Sequence, residues 1–356
     1  MIPAKIDDKL FLNDLIHVDR RGFLTGASAA IAAGLGARLV ADHAPPPWRT
    51  RSVFVARASS YQIDLESIVK RGLAELGIGP KRVRGKSILL KPNLVEPYPG
   101  SPHINTHPVL IAAVVEAFRS LEAREVFVAE GPGHVRDARL AVEQAGLADI
   151  LKHLKVEFID LNHDDVDRIE NPLRLSPLAE FHLPKTLRRA DWVVSLPKLK
   201  THHWVGATVS LKNLFGVLPG VRYGWPKNVL HQAGIVPSIL DLNAAVRPRL
   251  AIVDGIVGME GDGPIMGSPK ELGAIVIGEN LVAVDATATR LMRIDPATIE
   301  YLAIADRHLG PIDARRIRQI GEPIDALARR FEPFKKPPTA EFHDSPRTRS
   351  LKETPI

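Results

Sequence analysis

The sequence predicts an α/β protein whose mostly parallel sheet is covered by helices on both faces. Short apolar, β-branched runs alternate with helical segments through the central part of the chain. This alternation is typical of parallel sheets, in which each strand is buried on two sides. No internal repeat or long linker interrupts residues 51–332. We therefore expect a single large domain there, and we leave its division into subdomains open.

Strands are predicted where apolar and β-branched residues run together between turn-forming residues. In chain order these runs are 53–57, 87–90, 125–129, 156–160, 192–196, 250–254 and 274–278.

Helices are predicted where apolar residues recur with helical spacing. In the segment 109–121, for example, Leu110, Val114, Ala117 and Leu121 fall on one face. Thr106 is expected to cap this helix at its N-terminus. In chain order the predicted helices are 65–76, 109–121, 138–145, 235–245, 282–292 and 297–305.

Composition and charge exclude several classes of protein. The net charge is +6, but the basic residues are scattered, and only four Trp and four Tyr could stack on bases. We therefore expect no nucleic-acid partner. The 356 residues include no cysteine, which excludes disulfides, a cysteine nucleophile and a cysteine-ligated iron–sulfur cluster.

The segment 1–44 resembles a twin-arginine export signal. Arg20 and Arg21 precede the letters GFL and a weakly apolar run rich in Ala and Gly, an order typical of export signals. This apolar run is shorter than the ~20 residues that a membrane span needs. We therefore expect the twin-arginine export machinery as a partner and a periplasmic or other extracytoplasmic location, with membrane contact only through an uncleaved signal. A surface helix of small residues is the alternative.

Two further segments flank the predicted domain. Residues 45–50 contain three consecutive prolines, which favours a stiff linker. Residues 333–356 are rich in proline and charge and poor in aliphatic side chains, which predicts a disordered tail. The predicted α/β domain therefore spans residues 51–332.

Polar clusters follow four of the predicted strands. They are KPNL (91–94), EGPGH (130–134), PKLKTHH (197–203) and DGIVGMEGDGP (254–264). Ligands of open α/β sheets bind at the carboxyl ends of the strands, where loops and helix N-termini converge. We therefore expect the four clusters to share one site.

The positive charge of these clusters predicts a small anionic ligand, because grouped ammonium groups favour carboxylate or phosphate. The alternative is that each lysine extends into solvent from its own loop. The residues predicted to bind and orient the anion are Lys91, Asn93, Lys198, Lys200, Lys212 and Asn213.

His202 and Asp254 are the candidates for catalytic acid or base, since a histidine titrates near neutral pH. Asp285 lies in an apolar helix and should be costly to bury without a partner. Its role is therefore either structural, as a helix cap or as the partner of a lysine, or that of a catalytic carboxylate. The sequence identifies no cofactor. A divalent metal is one candidate, although no motif of closely spaced metal ligands is present. Its candidate ligands are His107, Glu130, His134, His202, Glu260 and Asp262.

Six sequence blocks of the predicted domain together resemble the domain of unknown function 362 (DUF362) family. The matching blocks are LLKPNLV (89–95), FVAEGPG (127–133), ADWVVSLPKLKTH (190–202), VSLKNLFG (209–216), LAIVDGIVGMEGDGP (250–264) and NLVAVDATATRLM (280–292). The resemblance implies no defined activity. Many relatives are described as iron–sulfur proteins with ferredoxin-type cysteines, and that role does not carry over to a chain without cysteine.

The sequence thus favours an exported enzyme that acts on a small anionic substrate, with an unknown reaction. One alternative is a non-catalytic periplasmic protein that binds an anion or a metal. Another is a redox-associated module that relies on the iron–sulfur cluster of a partner.

Overall fold

The computed structural model describes residues 50–96 and 99–333. The predicted signal, nearly all of the linker and the tail beyond residue 333 lie outside these residues. The strands are β1 (Arg51–Arg57), β2 (Ser87–Pro92), β3 (Glu125–Glu130), β4 (Phe158–Asp160), β5 (Val166–Glu170), β6 (Glu180–Pro184), β7 (Trp192–Leu196), β8 (Lys198–His202), β9 (Gly206–Thr208), β10 (Leu250–Glu260), β11 (Ser268–Gly278) and β12 (Ile317–Gly321).

The helices alternate with these strands, as the sequence predicts. They are α1 (Leu65–Glu75), α2 (Pro80–Val83), α3 (Pro108–Ser120), α4 (Ala138–Gln144), α5 (Ala148–Leu154), α6 (Thr186–Arg189), α7 (Ser210–Asn213), α8 (Gly220–Tyr223), α9 (Asn228–Gln232), α10 (Ile235–Val246), α11 (Leu281–Leu291), α12 (Glu300–His308) and α13 (Ile324–Leu327). Short 3₁₀ turns follow α7 and precede α12 and β12. Among the described residues, no helix combines the length and apolarity that crossing a membrane requires.

The main sheet has the strand order β12-β1-β11-β10-β7-β2-β3-β4. The pairs from β10 through β7, β2 and β3 to β4 are parallel, as is β1 with β12. Strand β11 is antiparallel to both of its neighbours. Strand β8 extends the line of β7 past Pro197, pairs with the second half of β10 and carries β9 as a hairpin. The carboxyl ends of β2, β3 and β7–β8 therefore lie along one edge.

Apolar residues fill both faces of the sheet. Along β1, Val53 and Val55 belong to one buried cluster, whereas Phe54 and Ala56 belong to another. Successive side chains of a strand point to opposite faces, so the two clusters lie on opposite sides. Helices α10, α11 and α12 contribute to the first cluster, and α1, α3 and α5 contribute to the second. The predicted α/β fold, with a mostly parallel sheet covered on both faces, is confirmed.

Two of the polar clusters that follow predicted strands consist largely of strand themselves. The strand predicted at 250–254 is longer in the structure, since β10 continues to Glu260 and pairs with β11. Its glycines permit close backbone contacts, since a Cβ on Gly255 would lie 2.9 Å from the Ala274 carbonyl oxygen. Likewise, the segment 198–202 re-enters the sheet after Pro197 as β8.

Candidate functional site

A cavity of about 300 Å³ opens at the carboxyl ends of β2, β3 and β8. We call it the anion cavity. Its lining comes from the loops after these strands, from α7 and α9, and from the turn between β10 and β11. Parts of all four polar clusters therefore meet around it. Its polar lining residues are Lys91, Asn93, Glu130, His134, His202, His203, Thr208, Lys212, Asn213, Lys227, His231 and Asp262.

Lys91 and Glu130 form a buried ion pair at one side of the anion cavity. The Lys91 Nζ also donates to the Pro92 carbonyl oxygen at 2.9 Å and to Asn213 Oδ1 at 3.3 Å. Burial lowers the pKa of Lys91 and raises that of Glu130, while the opposite charge of each partner counteracts the shift. Lys91 is therefore fully hydrogen-bonded and electrically balanced before any ligand binds.

Close packing holds this ion pair in place. A Cβ on Gly216 would lie 1.9 Å from Glu130 Oε1 and 2.8 Å from Lys91 Nζ. The Gly131 amide donates to Glu130 Oε1 at 3.1 Å. Only a glycine at position 216 lets the backbone approach the pair this closely.

Asn213 supports the pair from the other side. Its Nδ2 donates to the Lys91 carbonyl oxygen and to Ser195 Oγ, each at 3.1 Å. Asn213 stands on α7, and Asp285 accepts hydrogen bonds from the amides of Ser210 and Leu211 at the start of that helix. Burial raises the pKa of Asp285 to about 7. Asp285 therefore positions α7 as a cap, the first of the two roles that the sequence left open.

Lys212 and Lys227 are two further lysines that line the anion cavity. Within the described residues, neither forms an ion pair with a carboxylate. The Lys212 Nζ lies 3.8 Å from the Phe215 ring centroid, and the Lys227 Nζ donates to Asn162 Oδ1 at 2.5 Å. Burial lowers the pKa of each to about 7, and the Lys91 charge also lowers it; for Lys227, the more distant charges of Glu130 and Asp160 oppose the shift. A bound anion would supply the ion-pair partner that each lysine lacks.

The sequence reasoning missed Lys227 because it follows no strand. Lys227 is 1% exposed and has a φ of 70°, in the left-handed region that costs a non-glycine residue about 1–2 kcal/mol. Asn162, also missed, fixes the surrounding turn by accepting from the Gly220 amide at 2.9 Å. The signal in the sequence is weak: a single lysine between Pro226 and an asparagine.

His202 and His231 enter the anion cavity in opposite tautomers. The Trp204 amide donates to His202 Nδ1 at 3.1 Å, so the neutral His202 ring carries its proton on Nε2. His231 Nδ1 lies 3.1 Å from the Lys227 carbonyl oxygen, which can only accept, so the free lone pair of His231 is on Nε2. Burial lowers the pKa of His231 to about 4 and that of His202 well below its ordinary value. Both rings are therefore neutral at pH 7.

Two buried polar atoms of the lining have no hydrogen-bond partner among the described residues. They are Asn93 Oδ1 and Thr208 Oγ1. Thr208 is only 5% exposed. Because buried polar groups are normally paired, these atoms indicate that the anion cavity is shaped for a polar ligand.

Lys198 and Asp254 do not line the anion cavity. Both are fully buried, and the Lys198 Nζ donates to Asp254 Oδ2 at 2.6 Å, to Tyr61 Oη at 2.9 Å and to the Val257 carbonyl oxygen at 3.3 Å. We call Lys198, Asp254 and Tyr61 the closed cluster. Asp254 also accepts from Tyr61 Oη and the His107 amide, each at 2.9 Å. All three donors of the Lys198 ammonium group therefore have acceptors within the protein. Lys198 was predicted to bind the anion, and the structure does not place it at the anion cavity.

Lys200 belongs neither to the lining of the anion cavity nor to the closed cluster. It is fully buried, and its Nζ donates to the Pro264 carbonyl oxygen at 3.1 Å. Burial, followed by the charges of Lys198 and Lys212, lowers its pKa well below the ordinary value. Lys200 does not line the anion cavity, although the sequence predicts that it contacts the ligand.

Four of the six candidate metal ligands, Glu130, His134, His202 and Asp262, line the anion cavity, whereas His107 and Glu260 do not. His107 caps α3 by accepting from the Val109 amide, a role that the sequence assigned to Thr106, whose hydroxyl instead donates to the Leu196 carbonyl oxygen. Glu260 pairs with Lys270. Glu130 pairs with Lys91, His134 lies 3.6 Å from Glu96, and Asp262 lies 3.7 Å from His203.

In residues 50–96 and 99–333, no three His, Asp or Glu side chains form a group that could hold a metal ion. The chain also contains no cysteine, so it provides no ligands for a cysteine-ligated iron–sulfur cluster.

The residues that line the anion cavity fall within a part of the chain that matches a known protein family. The sequence profile described as Domain of unknown function (DUF362) matches residues 88–290. A thylakoid-associated protein from Synechocystis sp. is 32% identical over 265 residues, which cover 72% of this chain and 79% of the relative.

Two solved structures align with part of this chain. The lactate racemase apoprotein from Thermoanaerobacterium thermosaccharolyticum aligns with a TM-score of 0.43 and 15% identity over 70% of this chain. A protein from Thermotoga maritima aligns with a TM-score of 0.36 and 9% identity over 64% of this chain. The aligned parts cover 58% and 59% of those two chains.

Proposed function

The chain belongs to the DUF362 family, and we propose from the geometry of its site that it is an enzyme that transfers protons on a small anion bound in the anion cavity. The anion is a carboxylate or a phosphate. The observation that carries the proposal is the pair Lys212 and Lys227, two buried or half-buried ammonium groups without a carboxylate partner among the described residues. Charge-assisted hydrogen bonds from such groups are the usual means of holding these anions.

The two neutral histidines supply the proposed chemistry. His231 offers an unprotonated Nε2 as a base, and His202 offers an Nε2–H as a donor to developing negative charge. Asp254, the other acid or base predicted from the sequence, has no place in this proposal because the closed cluster occupies both of its oxygens.

Ligand binding to the full-length chain tests the anion site. Acetate or phosphate at a hundred times its dissociation constant should raise the free energy of unfolding by about 2.7 kcal/mol. Lys212→Met and Lys227→Met should each weaken binding roughly tenfold, since each removes a charged hydrogen bond. The matched control is Lys86→Met, which removes an exposed lysine paired with Asp191. If both cavity variants bind every anion as the unmodified chain does, the proposed site is wrong.

Turnover distinguishes an enzyme from a binding protein. A carboxylate that binds is incubated with the protein in D₂O, and the loss of its α-proton is followed by NMR. We expect exchange that His231→Gln and His202→Gln abolish without loss of binding. Binding without exchange of any proton would favour the alternative of a non-catalytic anion-binding protein.

We also propose that the protein is exported through the twin-arginine route. The proposal rests on Arg20, Arg21 and the apolar run after them, and the thylakoid association of the Synechocystis sp. relative agrees with a location outside the cytoplasm. Replacing both arginines by lysine should leave the protein in the cytoplasmic fraction. Unchanged fractionation of this variant would contradict the proposal.

A further inference from the structure

The two most exposed large apolar side chains in the described residues both lie at the rim of the anion cavity. Met266 is 75% exposed and Trp204 is 62% exposed. Single exposed apolar side chains are common on protein surfaces, but here two of them flank the entrance to a cationic cavity.

Trp204 begins a continuous aromatic wall. Its ring centroid lies 5.1 Å from that of His231, which lies 5.9 Å from that of Phe215. The Lys212 Nζ then lies 3.8 Å from the Phe215 centroid. Trp204 also contacts the His203 ring edge-on, at a centroid distance of 4.7 Å. The wall therefore runs from the rim to the Lys212 ammonium group.

We propose that the anion carries a flat or short apolar group, which packs along Trp204, His231 and Phe215 while its charge meets Lys212. This inference rests on the proposed anion site and specifies the class of its substrate. The contact chain supports it, because one molecule can touch the aromatic wall and the ammonium group at once. The volume of about 300 Å³ lies at the lower end of the range for ligand sites, about 300–1,000 Å³, so one ring or a short chain fits beside the anionic group.

A membrane surface is the competing occupant of the rim. Surfaces that dock on membranes or proteins usually expose contiguous apolar patches of several hundred Å². Here the two exposed side chains line the cavity together with Leu94, Ile265 and Pro226. The lining therefore favours a small amphiphilic molecule.

Matched pairs of ligands test the inference on the full-length chain. Phenylacetate is compared with acetate, and phenyl phosphate with phosphate, by titration calorimetry. Because burial of one aromatic ring stabilises a complex substantially, the phenyl member of each pair should bind roughly 10- to 100-fold more tightly. Trp204→Ala should remove most of this difference and leave the affinity for acetate unchanged, and Trp204→Phe should restore part of it.

Two controls assign the effect to the wall. Val221→Ala removes an apolar side chain that is 57% exposed outside the cavity lining, and it should change neither affinity. Lys212→Met should weaken both members of each pair by the same factor. Equal affinities for acetate and phenylacetate would overturn this inference and leave the anion site standing, whereas no binding of any of the four would overturn the anion site itself. A Trp204→Ala variant that loses only its binding to anionic phosphatidylglycerol vesicles would assign the rim to a membrane.

Discussion

The closed cluster and the anion cavity both bury lysines, but they differ in how the charge is balanced. In the closed cluster, Lys198 meets Asp254, Tyr61 and a backbone carbonyl, so each of its three donors has an acceptor. In the anion cavity, Lys212 and Lys227 have no carboxylate partner among the described residues, and burial lowers the pKa of each to about 7.

This contrast shows that burial alone does not mark a lysine as a candidate ligand contact. The lysine must also lack an ion-pair partner among the described residues and line the cavity, and Lys200 meets only the first of these two conditions. A paired buried charge is stable while both partners are present. An unpaired buried ammonium destabilises the free protein and is stabilised when an anion arrives. The same residue type in neighbouring segments can therefore serve opposite purposes.

The largest expected effect is on stability, and it tests the difference between the closed cluster and the anion cavity most directly. Lys198→Met should lower the free energy of unfolding by about 3–5 kcal/mol, because it leaves the Asp254 carboxylate buried without its counter-ion. Lys212→Met should leave stability unchanged or increase it, because it removes an unpaired charge and retains the contact with Phe215. Chemical denaturation followed by circular dichroism measures both. Equal losses in the two variants would remove the distinction between the two regions.

The sequence predicts where these lysines gather but not which of them are paired. Strands ending near Leu90, Ala129 and Leu196 follow from their apolar runs, and parallel connection brings their ends to one edge. Tyr61, which accepts from Lys198, is 137 residues away in the chain, and no local pattern links them. Whether a buried lysine has an ion-pair partner depends on tertiary packing, so it can be determined only from the folded structure.

The same reasoning applies to one of the missed residues. Lys227 lies in a turn, and its left-handed backbone has no sequence signature for a non-glycine residue. Asn162 lies two residues after β4, so its position after a predicted strand could have identified it. The continuation of β10 beyond residue 254 was not predicted, because glycine is used both for close backbone packing and for turns. The number and spacing of glycines alone do not distinguish these two uses.

A smaller effect on stability concerns the paired side of the anion cavity. Gly216→Ala should cost about 1–3 kcal/mol as an overpacking substitution, because its Cβ would displace Glu130 from Lys91. Gly133→Ala is the matched control, since its Cβ would lie at an ordinary 3.5 Å from the nearest atom, on Pro226. Thermal unfolding of both variants measures the difference. If the two variants are equally stable, the ion pair is not held by close packing at Gly216.

The smallest expected change in free energy, for one pH unit, is in the affinity of the cavity for an anion. Measuring it compares the two regions without changing any residue. Acetate keeps its charge above pH 6, so any change of affinity above pH 7 reports on the protein. Lys212 and Lys227 each have a pKa of about 7. Acetate needs their protonated forms, so the affinity should fall up to tenfold per pH unit for each lysine that binds it.

The stability of the free protein should change with the opposite sign. The folded-state pKa of both lysines lies below the ordinary value of 10.5, so the unfolded chain binds more protons between about pH 7 and 10.5, and stability should rise with pH across that window. Titration calorimetry and denaturation over this range measure both slopes, and Lys227→Met should reduce each of them. Affinity that stays constant to pH 9 would show that the anion meets neither lysine, because an ammonium group that binds it cannot lose its proton without loss of the contact.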